Sequence, residues 1–327
     1  MLKKLIAAAV ATTTGALLAS AGALAADYPD QTITMVIPFS AGGPTDTIAR
    51  ILAQTMSKSL KQTVIVENAL GAGGTLAAGR VMRARPDGYT VLLHHNGMAT
   101  SPAMYRKLAF DPLGDFEYIG QAADVPMVLV ARKDLPPNNL KELIAYVKAN
   151  KGKLSMGNAG LGAVSHQCGM LFLSAIGTPI TTVPYKGTAP AMNDLLGGQI
   201  DLLCDQTTST TSHIRAGKVK VYGATTRARV ASLPNVPTLA EQGMPGFEMY
   251  VWHGLYAPKG TPQPIVAKLG GALREAMADA NVKAKFADLG AETVAADKAT
   301  PAGLQTHLKA EMDKWGPIYK KAGAFAD

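Results

Sequence analysis

The chain has 327 residues, 47% of them hydrophobic but only 6% aromatic, and a formal net charge of +8. That length and apolar content suit a full, mostly aliphatic core in two domains or one large one. The charge is spread along the chain rather than blocked, which argues against a nucleic-acid surface and suits a small anionic ligand.

Residues 1–25 read as a secretory signal peptide. Lys3 and Lys4 make a positive start, Leu5 to Leu18 a short apolar segment, and Ala23-Leu24-Ala25 a small-x-small cleavage pattern near Ala25. The apolar run is too short and too interrupted for a comfortable membrane span. The expected mature product is an exported soluble chain, compatible with a bacterial periplasm.

Thr34-Met35-Val36-Ile37 is an apolar strand that turns at Pro38-Phe39-Ser40-Ala41-Gly42-Gly43-Pro44 and leaves as a helix carrying Ile48, Ala49, Leu52 and Met56. Pro44 fits the first helical position, Gly43 the cap, and Asp46 a place from which a carboxylate reaches exposed N–H groups. Glycine-freed donors and the positive end of a helix make an anion site. An ordinary strand–helix turn is the alternative reading. The unit then repeats. Thr63 to Asn68 is a strand and Gly71-Ala72-Gly73-Gly74-Thr75 a second glycine loop before a helix. Tyr89 to Leu93 is a third strand, delivering His94-His95-Asn96-Gly97. Such repetition predicts a parallel α/β sheet flanked by helices, with ligands at the carboxyl ends of the strands.

Extended runs at Tyr118–Gln121 and Met127–Ala131 mark a crossover into a second domain. There the device recurs. Leu154 to Gly157 leads into Asn158-Ala159-Gly160-Leu161-Gly162-Ala163, with Ser165 capping the next helix. Ile180 to Tyr185 leads into Lys186-Gly187-Thr188-Ala189, and Ile200 to Cys204 ends in Asp205-Gln206-Thr207-Thr208. Thr238 is expected to open a helix over Leu239 to Gly243. Phe247 to Tyr256 is the return strand, with Trp252 and His253 alternating sides, and helices follow from Pro262 onward. The expected division is lobe 1 over 26–124 plus 247–327 and lobe 2 over 125–246.

Cys168 and Cys204 are the only cysteines. Cys168 falls in a helical pattern and Cys204 at the end of an apolar strand. Two buried free thiols are the favoured reading over a bond, because free cysteine packs as a small hydrophobe. No Cys/His spacing suits a metal, and no cofactor motif stands out.

The chain resembles the solute receptors of the tripartite tricarboxylate transporter class, the Bug-type periplasmic binding proteins. The resemblance spans the whole mature chain. It rests on Tyr28-Pro29, Pro38 to Asp46, Glu67-Asn68 with Gly71 to Gly74, Pro86-Asp87-Gly88-Tyr89, Gly160 through Ser165-His166, Pro184-Tyr185-Lys186-Gly187, Val236-Pro237-Thr238 and Trp252-His253-Gly254. It implies a two-lobed α/β receptor that closes on a carboxylate ligand, with no catalysis and no cofactor. Carried over, the first-lobe loop is Phe39, Ser40, Ala41, Gly42, Gly43, Thr45 and Asp46. The second-lobe loop is Gly187, Thr188 and Ala189, with Gly160 and Ser165 facing the cleft. The far end of the ligand then meets His95, Asn96, Asp205, and Trp252 or His253. Implied partners are a small organic carboxylate and membrane permease subunits, with a sensor kinase as the alternative docking partner and no nucleic acid. An exported hydrolase built on Ser165 and His166 is disfavoured, because neighbours at a helix start point apart and no nucleophile elbow is present.

Overall fold

The computed structural model describes residues 28–321, 325 and 326. The expected signal peptide lies outside the described residues.

Strand β1 (Ile33–Ile37) is buried along most of its length and leads into α1 (Pro44–Leu60). Pro44 opens that helix after an extended Gly43, and Ile48, Ala49, Leu52, Ala53, Met56 and Leu60 form its buried stripe. Strand β2 (Val64–Asn68) leads through the glycine loop to α2 (Thr75–Met82), and β3 (Thr90–His95) to α3 (Gly97–Met104). Strands β2, β1 and β3 pair in parallel, in that order.

The two extended runs expected after residue 117 are one continuous strand, β4 (Phe116–Arg132). Beyond it come α4 (Leu140–Asn150), β5 (Ser155–Asn158), α5 (Val164–Ala175), β6 (Thr181–Pro184), α6 (Thr188–Leu196), β7 (Leu202–Gln206), α7 (Thr207–Arg215) and β8 (Val219–Ala224). The return strand is β9 (Tyr250–Pro258), followed by α8 (Gln263–Ala278), α9 (Ala280–Asp288), β10 (Glu292–Thr293) and α10 (Pro301–Lys321).

Strands β6, β5 and β7 form a second parallel set. The two sets are joined through β4 and β9, which run antiparallel to their neighbours. From Phe116 to Pro126, β4 pairs with β9, which in turn pairs with β3. From Met127 onward, β4 pairs with β7 and β8. One strand therefore belongs to both halves of a mixed α/β fold. Its register shifts at three places, between Tyr118 and Gly120, between Gln121 and Ala123, and between Leu129 and Val130. Such irregularities bend and twist a strand.

Two expectations are corrected. Thr238 and Glu241 do exchange capping-box hydrogen bonds, at 3.0 and 2.7 Å. The segment nevertheless stays a turn, because Gly243 takes φ +101 and Pro245 follows. Cys168 and Cys204 are also not free thiols. They form a disulfide, with Cα atoms 6.1 Å apart. Helix α5 packs onto β7, and that packing brings together two buried residues separated by 36 positions.

Candidate functional site

The carboxyl ends of both parallel sets face each other. Between the halves lies a small cavity of about 20 Å3, lined by Phe39, Pro44, Thr45, His95, Met127, Ala159, Val164, Ser165, Thr188, Asp205 and Gln206. Each outlet of the strand–loop–helix device supplies part of it. Pro44 and Thr45 begin α1, Val164 and Ser165 begin α5, Thr188 begins α6, Gln206 caps α7, and His95 ends β3 just before α3. Four helix N-termini thus border one cavity, with the end of β3 beside them. First-turn N–H groups have no acceptor within their own helix, and the helix dipole adds partial positive charge there. No Lys or Arg is among the lining residues, and the only formal charge is the carboxyl of Asp205.

The halves touch around this cavity. The Ser40 N–H donates to the Lys186 carbonyl at 3.0 Å, and the Tyr105 hydroxyl to the Leu161 carbonyl at 2.8 Å. The Gln167 amide donates to Thr100 Oγ1 at 2.8 Å and accepts from the Tyr319 hydroxyl at 2.6 Å. Gly187 stands at φ +134, where an added Cβ would lie 2.3 Å from Ser40 Oγ and 2.8 Å from Ser40 N. Only a residue without a side chain allows that approach.

The first glycine loop uses its N–H groups differently from the sequence expectation. Ser40 N donates to Lys186, Gly43 N to the Ser40 carbonyl at 3.3 Å, and Gly42 N to Asp46 Oδ2 at 3.0 Å. The N–H groups of these three residues are bonded within the protein, which turns attention to the first turns of the helices as candidate donors. Asp46 does not face the cavity. It also accepts from Arg50 at 2.8 and 2.9 Å and from Asn68 at 3.1 Å. Burial works against its charge, but these bonds outweigh it and hold its pKa below the ordinary carboxylate value.

His95 stacks on Phe39, with ring centroids 4.7 Å apart, and its Nδ1 accepts the Gly97 N–H at 2.9 Å. That bond leaves the proton of the neutral ring on Nε2. Burial holds its pKa well below 6.5, and the neighbouring His94 and His253 push the same way. His94 turns from the cavity toward the Gly74 carbonyl, 3.2 Å from its Nε2. His253 sits behind Thr45, its Nε2 3.2 Å from Thr45 Oγ1.

Asp205 is fully buried, and burial pushes its pKa up to about 6 against the bonds it accepts from Ser209 and the Gln206 N–H. Thr188 lies close enough to lower that value slightly, yet its Oγ1 has no partner in hydrogen-bonding geometry. Ser40 Oγ, Asn158 Nδ2 and Gln206 Oε1 are likewise buried without partners. Buried polar atoms are nearly always paired, and two of these four, on Thr188 and Gln206, line the cavity, so they point to a polar guest there.

Of the residues expected at the site, Phe39, Thr45, His95, Ser165, Thr188 and Asp205 line the cavity. Ser40, Gly43, Gly187 and Ala189 meet across the cleft beside it. Ala41 and Gly42 are exposed on the loop, and Gly160 packs near Gly73 on the outer side. Two residues are drawn elsewhere. Asn96 gives both side-chain groups to β9, bonding the Tyr250 carbonyl at 2.8 Å and the Trp252 N–H at 2.9 Å. Trp252 points to the opposite side of the sheet, against His307 and Glu311. Pro44, Met127, Ala159, Val164 and Gln206 also line the cavity and lie outside the expected set. Met127 lies in an unbroken apolar run with no local signal, whereas Gln206 was readable as the strand-end neighbour of Asp205. Ser165 and His166 are not a catalytic pair, because Ser165 Oγ accepts from Ala159 N at 2.7 Å and His166 Nδ1 from Gly162 N at 3.3 Å.

Residues 48–324 match the tripartite tricarboxylate transporter family receptor. The chain belongs to this family. The receptor is similar to the periplasmic binding protein BugD, at 51% identity and TM-score 0.89, covering 91% of this chain and 99% of that one. It is similar to MatC of Rhodopseudomonas palustris with bound malate, at 40% identity and TM-score 0.87, covering 89% and 100%. A further R. palustris protein, with adipate, is 34% identical with TM-score 0.86, covering 91% and 100%. The receptor is therefore a solute-binding protein of the periplasmic binding protein fold, not an enzyme.

Proposed function

We propose that this receptor works in the periplasm after removal of its signal peptide, holds a small organic dicarboxylate between its halves, and delivers it to a tripartite membrane permease. The lobes would divide as 26–124 plus 247–327 and 125–246, with β4 and the start of β9 as the hinge. The observation that carries the reading is the convergence of four helix N-termini on a cavity free of Lys and Arg. Such a site binds an anion through backbone donors. Closure removes the ligand from water and strengthens each of those bonds. Malate in MatC and adipate in the other R. palustris protein support a dicarboxylate.

The test is a thermal-shift titration of the mature chain, unfolded and refolded to strip carried-over ligand, against succinate, malate, adipate and benzoate. A ligand of the native state raises the melting temperature. A shift with a dicarboxylate supports the reading, and no shift with any carboxylate in folded protein overturns it. Uptake by permease-containing vesicles only when loaded receptor is added would establish the delivery step.

A further inference from the structure

Gln167 stands in the first turn of α5, in the half built on β5, β6 and β7. Its side chain reaches out of that half. The amide nitrogen donates to Thr100 Oγ1 on α3 at 2.8 Å and to the Gly162 carbonyl of its own loop at 2.8 Å. The amide oxygen accepts from the Tyr319 hydroxyl on α10 at 2.6 Å. Gln167, Thr100 and Tyr319 are each at most 1% exposed, and none of the three lines the small cavity. Tyr319 is placed by its own half. Its ring stacks on Trp315 with centroids 5.7 Å apart, and Trp315 and Trp252 of β9 both donate to the Glu311 carboxylate, at 3.0 and 3.2 Å. Helix α10 is thereby fastened to β9, which pairs with β3. The Gln167 amide uses both of its N–H groups and its oxygen, and it can do so only while α5 lies against α3 and α10.

We propose that Gln167 is a latch for the closed receptor, a positioning residue that sets ligand affinity without touching the ligand. The inference rests on the two-lobed dicarboxylate reading above and adds the contact that holds the lobes shut. With the halves apart, the polar groups of Gln167, Thr100 and Tyr319 bond to water. With the halves together, they bond to one another in a space closed to bulk water, where an unpaired polar group is costly. The network favours closure as long as every member has its partner. Once one member is removed, the closed state carries an orphaned group and the open state does not. Depopulating the binding-competent state lowers the apparent affinity by the same factor for every ligand of that state.

The experiment is calorimetry with succinate, malate and adipate on the refolded mature chain. Thr100→Val and Tyr319→Phe each delete one oxygen and keep the shape of the side chain, while Gln167→Leu deletes the amide. Each oxygen deletion is expected to weaken binding by about fivefold, the scale of one hydrogen bond. Every diacid that binds wild type is expected to lose the same factor. Gln167→Leu is expected to cost about tenfold or more. Adding Tyr319→Phe to Gln167→Leu is expected to cost little more, because the partner is already gone. Should Gln167→Leu fail to fold, the two oxygen deletions carry the test. Wild-type affinity in Thr100→Val and Tyr319→Phe would overturn the latch, and a lowered melting temperature in those variants would then make the network a fixed part of the core. Losses that differ among the diacids would overturn it too, since they mark a contact with the ligand. So would a double variant that adds the full cost of Tyr319→Phe. Failure of wild type to bind any of the three acids would instead strike the underlying reading.

Discussion

The Ser40 N–H donates to the Lys186 carbonyl across the cleft, 3.0 Å away, and so joins the β1–α1 loop to the β6–α6 loop backbone to backbone. This bond exists only when the halves are together, and it forms beside the one glycine whose missing side chain permits the approach. Gly187→Ala would place a Cβ 2.3 Å from Ser40 Oγ at a φ that disfavours any side chain. Calorimetry is expected to show carboxylate affinity reduced by about tenfold or more, equivalent to about 1.4 kcal/mol. The far-UV spectrum is expected to stay unchanged. Wild-type affinity in this variant would mean that the loops do not meet when ligand is held.

His95 offers a second test, because its tautomer is set by Gly97. The ring is a neutral Nε2 donor at the cavity wall. His95→Phe keeps an aromatic ring beside Phe39 but removes that donor. One hydrogen bond to a charged acceptor is worth about 1.5–3 kcal/mol, so affinity is expected to fall by at least about tenfold. Since burial holds the His95 pKa well below 6.5, its contribution should be constant from pH 8 down to pH 6. Binding that strengthens as pH falls through 6.5, and loses that dependence in His95→Phe, would show an imidazolium instead.

Asp205 should reveal itself in stability against pH. Its folded pKa of about 6 lies above the ordinary 3.8, so the native state holds this proton more tightly than the unfolded chain. The sign follows from linkage. Below pH 3.8 both states are protonated and the residue is neutral in its effect. Between 3.8 and 6 the unfolded chain ionises first, and folding loses stability. Above 6 the loss is complete, roughly 2–3 kcal/mol at 1.36 kcal/mol per unit. Asp205→Asn removes this penalty. Its melting temperature relative to wild type should therefore climb from about pH 4 to pH 6 and then level off. A difference that is flat across that range would show that Asp205 is not penalised by burial.

The Cys168–Cys204 disulfide closes a loop of 36 residues beneath Ser165 on α5 and Asp205 on β7. Chain-entropy arguments assign such a loop about 3–4 kcal/mol of stability. Urea melts in the presence and absence of a reductant should show a loss of that size. The double variant Cys168→Ala with Cys204→Ala should melt like the reduced protein and ignore the reductant. Equal melting with and without reductant in the wild type would contradict the bond.

Much of the cavity lining was readable because its residues stand at strand ends that open helices. Phe39, Thr45, His95, Ser165, Thr188 and Asp205 all occupy such junctions, and they line the cavity. Local pattern could not separate neighbours. His95 and Asn96 both end β3, but only tertiary structure shows that Asn96 is tied to the β9 backbone. Trp252 and His253 alternate on one strand, and nothing local says which face is the cleft. The cysteines failed for a related reason. Hydrophobic pattern reported both as buried, while their pairing depends on how α5 lies across β7. The glycine loop misled more subtly, since its sequence announces free donors and the fold then bonds several of them to its own atoms.

The proposed use of helix first turns as donors bears on how this site changes under mutation. A main-chain N–H is carried by every amino acid but proline, so most substitutions at the helix starts leave the anion-facing dipoles in place. Wall residues such as Phe39, Ala159 and Met127 act through their side chains, and each can be exchanged for another size or polarity. The chemistry that grips a carboxylate is thus insulated from point mutation, while the chemistry that chooses among carboxylates is exposed to it. A scaffold divided in this way can drift from one organic acid to another without losing its hold on the class.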